Sequence, residues 1–294
     1  MAETPLHELS AALVAEELQK RGVNLYSICE RRNGKETVLK FTPASRCHNS
    51  YSVAKAFTVT AVGMMVDDGK LSTDTRVYDL LRPHFPADHD KRWEEVTLHN
   101  LLTHRIGLEH GFLDIDTEDV NTYGTQDYLR YAFSQPLPAP VGASYKYSDA
   151  AYYILSRAVA EAAGEDMRVL LQKRLFNPMQ FREVAWSVCP HGYAIGATGL
   201  YISSADMAKL GQLYLDGGMW EGHRLVSENW VNTVFSRGYE LTRRSTRSTQ
   251  RDSYGKGGMY GQMLYLSRSE GLVLAWHAFD KTHAAQAIME EWGM

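Results

Sequence analysis

A serine and a lysine three residues apart, Ser52 and Lys55, open a stretch that carries no other charge before Asp67. Every other residue from Val53 to Val66 is small, hydroxylated or apolar. A helix that is apolar on all sides is a buried helix. At its head, Ser52 stands where unsatisfied backbone N–H groups and the positive end of the helix dipole favour developing negative charge. Residues three apart share a helix face, so the Lys55 amine reaches the Ser52 hydroxyl. Burial disfavours the ammonium form and lowers a lysine's pKa, and a lysine tuned this way takes a proton from serine. The chemistry implied is acyl transfer through a covalent intermediate on Ser52. The same spacing also arises by chance, with Ser52 as a simple cap and Lys55 reaching the surface, so the other elements of the chain must decide.

The second candidate is Tyr145-Lys146-Tyr147-Ser148-Asp149, ahead of a long amphipathic run from Ala150 to Ala163. It reads as a helix entry, with Ser148 or Asp149 as N-cap. A tyrosine held there beside a lysine also suits a general base or proton relay. The third is Gly255-Lys256-Gly257-Gly258-Met259-Tyr260-Gly261, leading into a strand. Its glycines allow close backbone approach to a ligand, or simply make a glycine-rich hairpin. Nucleotide binding is excluded here: there is no G-x-G-x-x-G and no G-K-[ST], and a strand rather than a helix follows. The chain also lacks a G-x-S-x-G elbow and an H-E-x-x-H pair. Of the scattered histidines, His99 and His104 flank an apolar turn and read as structural. His277, at the end of a predicted strand, is kept as an outside site candidate.

The elements that must position these residues come from both ends of the chain. Thr4 and Pro5 resemble an N-cap and a first-turn proline, and Leu6, Leu9, Leu13, Val14 and Leu18 recur at helical spacing. Two strand-like runs follow, Val23 to Glu30 and Glu36 to Phe41, separated by Asn33-Gly34, a strong hairpin signal. Near the C-terminal end, Gln262 to Ser267 and Leu272 to His277 read as strands with Glu270-Gly271 at the turn, and Thr282 to Trp292 as a closing helix. Arg243 to Arg251 is basic and polar and reads as a surface loop. The expected fold is α/β (α+β): one antiparallel sheet flanked by N- and C-terminal helices, with an inserted mostly helical lobe. The boundaries expected are 1–67 with 195–294 for the sheet domain and 68–194 for the lobe.

Composition agrees with a soluble globular protein, at 44% hydrophobic and 22% charged residues. A net charge of -4 and a pI near 6.3 give no sign of a nucleic-acid partner. Three cysteines, Cys29, Cys47 and Cys189, without CxxC spacing argue against a disulfide framework and a zinc knuckle. No apolar stretch approaches the roughly 18 residues of a membrane span, and the first residues carry no secretory signal. These readings make a cytoplasmic protein with a small-molecule substrate the expectation.

Taken in order, these elements resemble the serine beta-lactamase and D,D-peptidase superfamily, and within it the group of class C beta-lactamases, D-aminopeptidases and family VIII carboxylesterases. The resemblance spans nearly the whole chain. It rests on Tyr51-Ser52-Val53-Ala54-Lys55, Asp68-Gly69-Lys70-Leu71, Leu101 to Leu108, Tyr147-Ser148-Asp149, Gly199 to Ala208 and Lys256-Gly257-Gly258. It implies that Ser52 is the acylated nucleophile, that Lys55 shares its proton with Tyr147 as base, and that Lys256 orients the tyrosine or a substrate carboxylate. It implies an oxyanion hole from the backbone N–H groups of Ser52 and Met259, with Asp149, Gly257 and Gly258 on the substrate side, and no metal or organic cofactor.

Two departures bear on the substrate. Position 149 is Asp where the best-known members have Asn, and an ionised carboxylate accepts hydrogen bonds but cannot donate them. The segment from Gly199 to Lys256 is also short for the group. The function expected is therefore a serine hydrolase acting on a small carboxylic ester or amide. The alternatives are a beta-lactamase or D-amino-acid peptidase, and, in another class, a non-catalytic ligand-binding member of the fold.

Overall fold

The computed structural model describes residues 8–43, 46–244, 252–292 and 294. Along the chain, α1 (Ala11–Lys20) is followed by the hairpin β1 (Asn24–Arg32) and β2 (Lys35–Lys40), a two-residue β3 (His48–Asn49), a short 3-10 turn (Tyr51–Val53) and α2 (Ala54–Asp67). Farther on come α3 (Asp149–Ala163), β4 (Leu200–Ile202), α4 (Ser204–Leu215) and α5 (Glu228–Arg237). The strands β5 (Thr242–Arg244), β6 (Ser253–Gly257), β7 (Met263–Ser267) and β8 (Leu272–Phe279) precede the closing helix α6 (Ala284–Trp292).

The chain divides into two compact units: Met1–Ala56 with Met179–Ala185 and Leu200–Met294, and Phe57–Pro178 with Trp186–Gly199. In the first, a six-stranded antiparallel sheet runs in the order β2-β1-β8-β7-β6-β5. Both hairpins form where turn chemistry places them. Asn33 and Gly34 take positive φ of 52° and 73°, the pair of left-handed residues that suits a two-residue turn. One face of the sheet, with Leu25, Ile28, Tyr265, Leu274 and Trp276, packs on Val14 and Leu18 of α1 and Ile288 and Met289 of α6. Each such side chain, fully buried, contributes about 1.5–3 kcal/mol. The other face receives α4, closely enough that a Cβ on Gly211 would lie 2.6 Å from Val273 Cγ1.

Thr4, Pro5 and Leu6 lie outside the described residues, and α1 starts at Ala11, with the Ser10 hydroxyl accepting the Leu13 N–H at 3.2 Å. Of the basic run at 243–251, Arg243 and Arg244 belong to edge strand β5; residues 245–251 lie outside the described residues.

The second unit is mainly helical. It holds most of α2, which is buried continuously from Ala54 to Met65, and α3, together with shorter helices at Val77–Leu81, Leu98–Leu102, Tyr128–Ser134 and Met167–Leu171. Among the described residues, no helix is long and apolar enough to cross a membrane. None of the three cysteines, Cys29, Cys47 and Cys189, is in a disulfide.

Candidate active site

The approach to Ser52 is fixed by the residues just before it. Ser50 is fully buried and donates both its backbone N–H and its hydroxyl to the Leu200 carbonyl, each at 2.8 Å. Asn49 turns its side chain forward to accept the Tyr51 N–H at 2.9 Å. Tyr51 then takes a left-handed φ of 46°, a conformation costly for a residue with a Cβ and tolerated where the surroundings over-determine it. Edge-on packing against Tyr260, 5.1 Å between ring centres, holds it there. The chain enters the 3-10 turn and then α2, leaving Ser52 half-buried and Lys55 wholly buried. The Lys55 Nζ donates to Ser52 Oγ at 3.1 Å. A hydroxyl and a desolvated amine in hydrogen-bond contact are the parts of an activated nucleophile.

Lys256 lies on β6 opposite Leu264, so its side chain emerges on the α4 side of the sheet. The glycines after it form a tight turn into β7: the Gly258 N–H donates to the Gln262 carbonyl at 2.8 Å, and the Tyr260 N–H to Gln262 Oε1 at 3.1 Å. A Cβ on Gly258 would stand 2.6 Å from Gln262 Oε1 and 2.9 Å from the Ser50 carbonyl oxygen. The glycine-rich segment therefore brings its backbone, with Met259 next in line, against the residues that lead into Ser52. Gly257 has no such close neighbour, its nearest being 3.8 Å away. The ammonium of Lys256 is paired with the carboxylate of Glu240, and both side chains are largely buried.

Tyr147 and Asp149 belong to the second unit, where His104 organises them. This residue is buried, with φ at 54°. Its carbonyl accepts the Lys146 N–H at 2.8 Å and its Nδ1 accepts the Ser148 N–H at 3.2 Å. Its ring centre lies 4.5 Å from that of Tyr147. His104 thus holds the tyrosine segment, a structural role consistent with its expected one. Ser148 occupies the N-cap position of α3, but its hydroxyl bonds the backbone of Phe112 rather than the helix amides. Asp149 is buried at the first turn of α3. Its carboxylate lies with those of Asp114 and Asp116, ligand oxygens all within 4.8 Å. Oxygen-only sets of this kind suit hard cations. The arrangement concentrates negative charge around position 149.

His277, the outside candidate, sits fully buried in β8. Its Nδ1 shares a hydrogen bond of 2.9 Å with Ser204 Oγ, which in turn lies 2.7 Å from Ser27 Oγ. Burial first, and the neighbouring His48 second, push its pKa down to about 3. It is a neutral core histidine, part of the packing between β1, β8 and α4. Sequence reasoning gave no notice of two residues that matter at these positions. Glu240 belongs to no motif, and its contact with Lys256 depends on strand register. Gly111 is an isolated glycine whose need becomes visible only beside Tyr147.

The Beta-lactamase family model matches residues 11–287. Unguisins hydrolase ungD of Aspergillus violaceofuscus (strain CBS 115571) is 29% identical over 133 residues, covering 44% of this chain and 24% of its own. Esterase EstB of Burkholderia gladioli is 28% identical over 156 residues, covering 49% of this chain and 40% of its own. The chain spans from about a quarter to about half the length of the curated relatives it matches. Among solved structures, the class C beta-lactamase of Rhodobacter sphaeroides superposes with a TM-score of 0.68 at 19% identity, covering 94% of this chain and 95% of that one. With a family match across nearly its whole length and a fold to agree, the chain belongs to the beta-lactamase family.

Proposed function

We propose that this protein is a serine hydrolase that forms an acyl-enzyme on Ser52 and then hydrolyses it, with a small carboxylic ester or amide as substrate. The observation that carries the reading is the 3.1 Å contact between the buried Lys55 amine and the Ser52 hydroxyl. In this mechanism Ser52 Oγ attacks the substrate carbonyl and its proton passes to the base formed by Lys55 and Tyr147. The tetrahedral oxygen takes hydrogen bonds from the backbone N–H groups of Ser52 and Met259, each worth about 2.7–4 kcal/mol in systems where one has been removed. The leaving group departs with the proton, and water, activated by the same base, releases the acid.

The charge around the other assigned residues favours neutral substrates. Lys256, the position from which a substrate carboxylate would be drawn, already has Glu240 as partner. Asp149 stands among two further carboxylates. Like charges repel, and an ionised Asp cannot donate to a substrate carbonyl. Both features weigh against beta-lactams and carboxylate-bearing peptides.

The test is a hydrolysis screen over nitrophenyl esters, nitrocefin and D-alanyl anilides, joined to labelling with a fluorophosphonate. Turnover of nitrophenyl esters, with the adduct on Ser52 by mass spectrometry, is expected. Labelling elsewhere, or unchanged turnover in Ser52→Ala, would remove the mechanism. Binding without turnover would instead favour a non-catalytic member of the fold.

A further inference from the structure

Glu240 occupies an unusual place. α5 ends at Gly238 in the left-handed conformation, and β5 begins at Thr242, paired with Gly255 of β6. Between them the Leu241 N–H donates to the Tyr239 carbonyl at 2.7 Å, closing a three-residue turn with Glu240 at its centre and φ at +60°. Turns of this kind are rare and strained. Residues with a Cβ persist in such backbone where the surroundings hold them, often at functional sites. Here Tyr239 and Leu241 are both buried and fix the turn from either side. Antiparallel register carries residue 240 alongside β6, and its carboxylate, itself only 5% exposed, meets the Lys256 ammonium.

We infer that Glu240 determines specificity: by neutralising Lys256 it makes the acyl subsite accept uncharged acyl groups and refuse those that carry a carboxylate. The inference rests on the proposed acylation of Ser52 and extends it to the substrate class. Lys256 stands two residues before Gly258, whose backbone lies against Ser50, so the pair is adjacent to the nucleophile's own segment. A pair shielded from water interacts far more strongly than one in bulk solvent. A substrate carboxylate would have to displace a built-in one already in contact.

The experiment compares two esters that differ only in charge, mono-4-nitrophenyl glutarate and its methyl ester. The wild type should favour the methyl ester. In Glu240→Gln the ratio of kcat/KM, acid over methyl ester, should rise by about tenfold or more, carried mainly by KM of the acid and weakened by salt. Glu240→Asp, which restores a carboxylate, should return the ratio toward the wild type, and so should the double variant Glu240→Gln/Lys256→Gln, which removes both charges. A ratio in Glu240→Gln within twofold of wild type, or an equal loss for both esters, would overturn the inference and leave the pair a brace for strand β5. The acyl-enzyme reading fails separately, if Ser52→Ala hydrolyses the methyl ester as well as the wild type does.

Discussion

A methyl group placed on Gly111 would stand 2.3 Å from the carbonyl oxygen of Tyr147 and 3.2 Å from the Cα of Ser148. The neighbour is backbone, which cannot swing aside, so Gly111→Ala must displace the tyrosine segment. The Phe112 carbonyl next to it accepts the Ala150 N–H at 3.0 Å, tying this loop to the start of α3. Misplacing a catalytic group by about 1 Å costs on the order of 10²-fold in rate. Gly111→Ala should therefore lower kcat for ester hydrolysis by about 10²-fold, with the fold retained by circular dichroism. A variant with wild-type kcat would show that Tyr147 needs no such fixed seat.

Lys55 is wholly buried, and its amine donates to the hydroxyl of Ser52, the proposed nucleophile. Lys55→Met keeps the length and apolar stem but cannot accept a proton. The rate of Ser52 acylation, followed by fluorophosphonate labelling, should fall by about 10²- to 10⁴-fold. Lys55→Arg should not restore it, because a guanidinium does not give up its proton in proteins. Rescue by arginine would mean that the charge, rather than proton transfer, is what Ser52 requires.

Tyr145 and Tyr147 are both partly exposed, at 56% and 38%, and both rings pack on His104. The tighter contact belongs to Tyr147, and Ser148 beside it is anchored through the His104 ring nitrogen. Tyr147→Phe keeps the ring packing and removes only the hydroxyl. Its kcat should drop by about 10²- to 10⁴-fold, whereas Tyr145→Phe should stay within a few-fold of wild type. The opposite result would reassign the base to Tyr145.

His277 supplies a pH dependence of stability. Its pKa is pushed down to about 3 in the folded chain by burial and by His48, whereas an unfolded histidine titrates near 6.5. The unfolded state therefore takes up a proton that the folded state refuses. The contribution to stability is full above about pH 6.5 and is lost as pH falls toward 3, at up to about 1.4 kcal/mol per pH unit. In His277→Asn, whose amide can still bond Ser204, urea unfolding between pH 6.5 and 4 should show a slope against pH shallower by about that amount. Equal slopes in the two proteins would mean that His277 is able to charge in place.

Much of the fold is written locally. The turns at Asn33-Gly34 and Glu270-Gly271 depend on positive φ at Asn33, Gly34 and Gly271, and the strands on either side form next to them. The burial of α2 follows from its lack of a polar face, and the meeting of Ser52 with Lys55 follows from their spacing along one helical entry. The start of α1 was harder to read, because Leu6 and Leu9 continue the apolar spacing while the hydroxyl of Ser10 makes the cap. Contacts between distant segments were not legible. Glu240 reaches Lys256 through the pairing of two strands, and Asp149 meets Asp114 and Asp116 through a loop whose path no local pattern encodes. The sequence departure at position 149 was visible, but not the two acids that surround it.

The central seam of the sheet joins residues far apart in sequence: β1 pairs with β8 from Asn24 opposite Phe279 to Arg32 opposite Leu272. On the ribosome, β1 and β2 are made well before β8 and can close their hairpin, yet β1 has no second neighbour until β8 has been made. Until then one edge of β1 displays unpaired N–H and C=O groups, a template for any other extended chain. Pairing across such a sequence separation is slow. A newborn copy of this protein is thus most prone to aggregate in the interval between making β1 and making β8, and a message truncated before residue 272 would never close that interval.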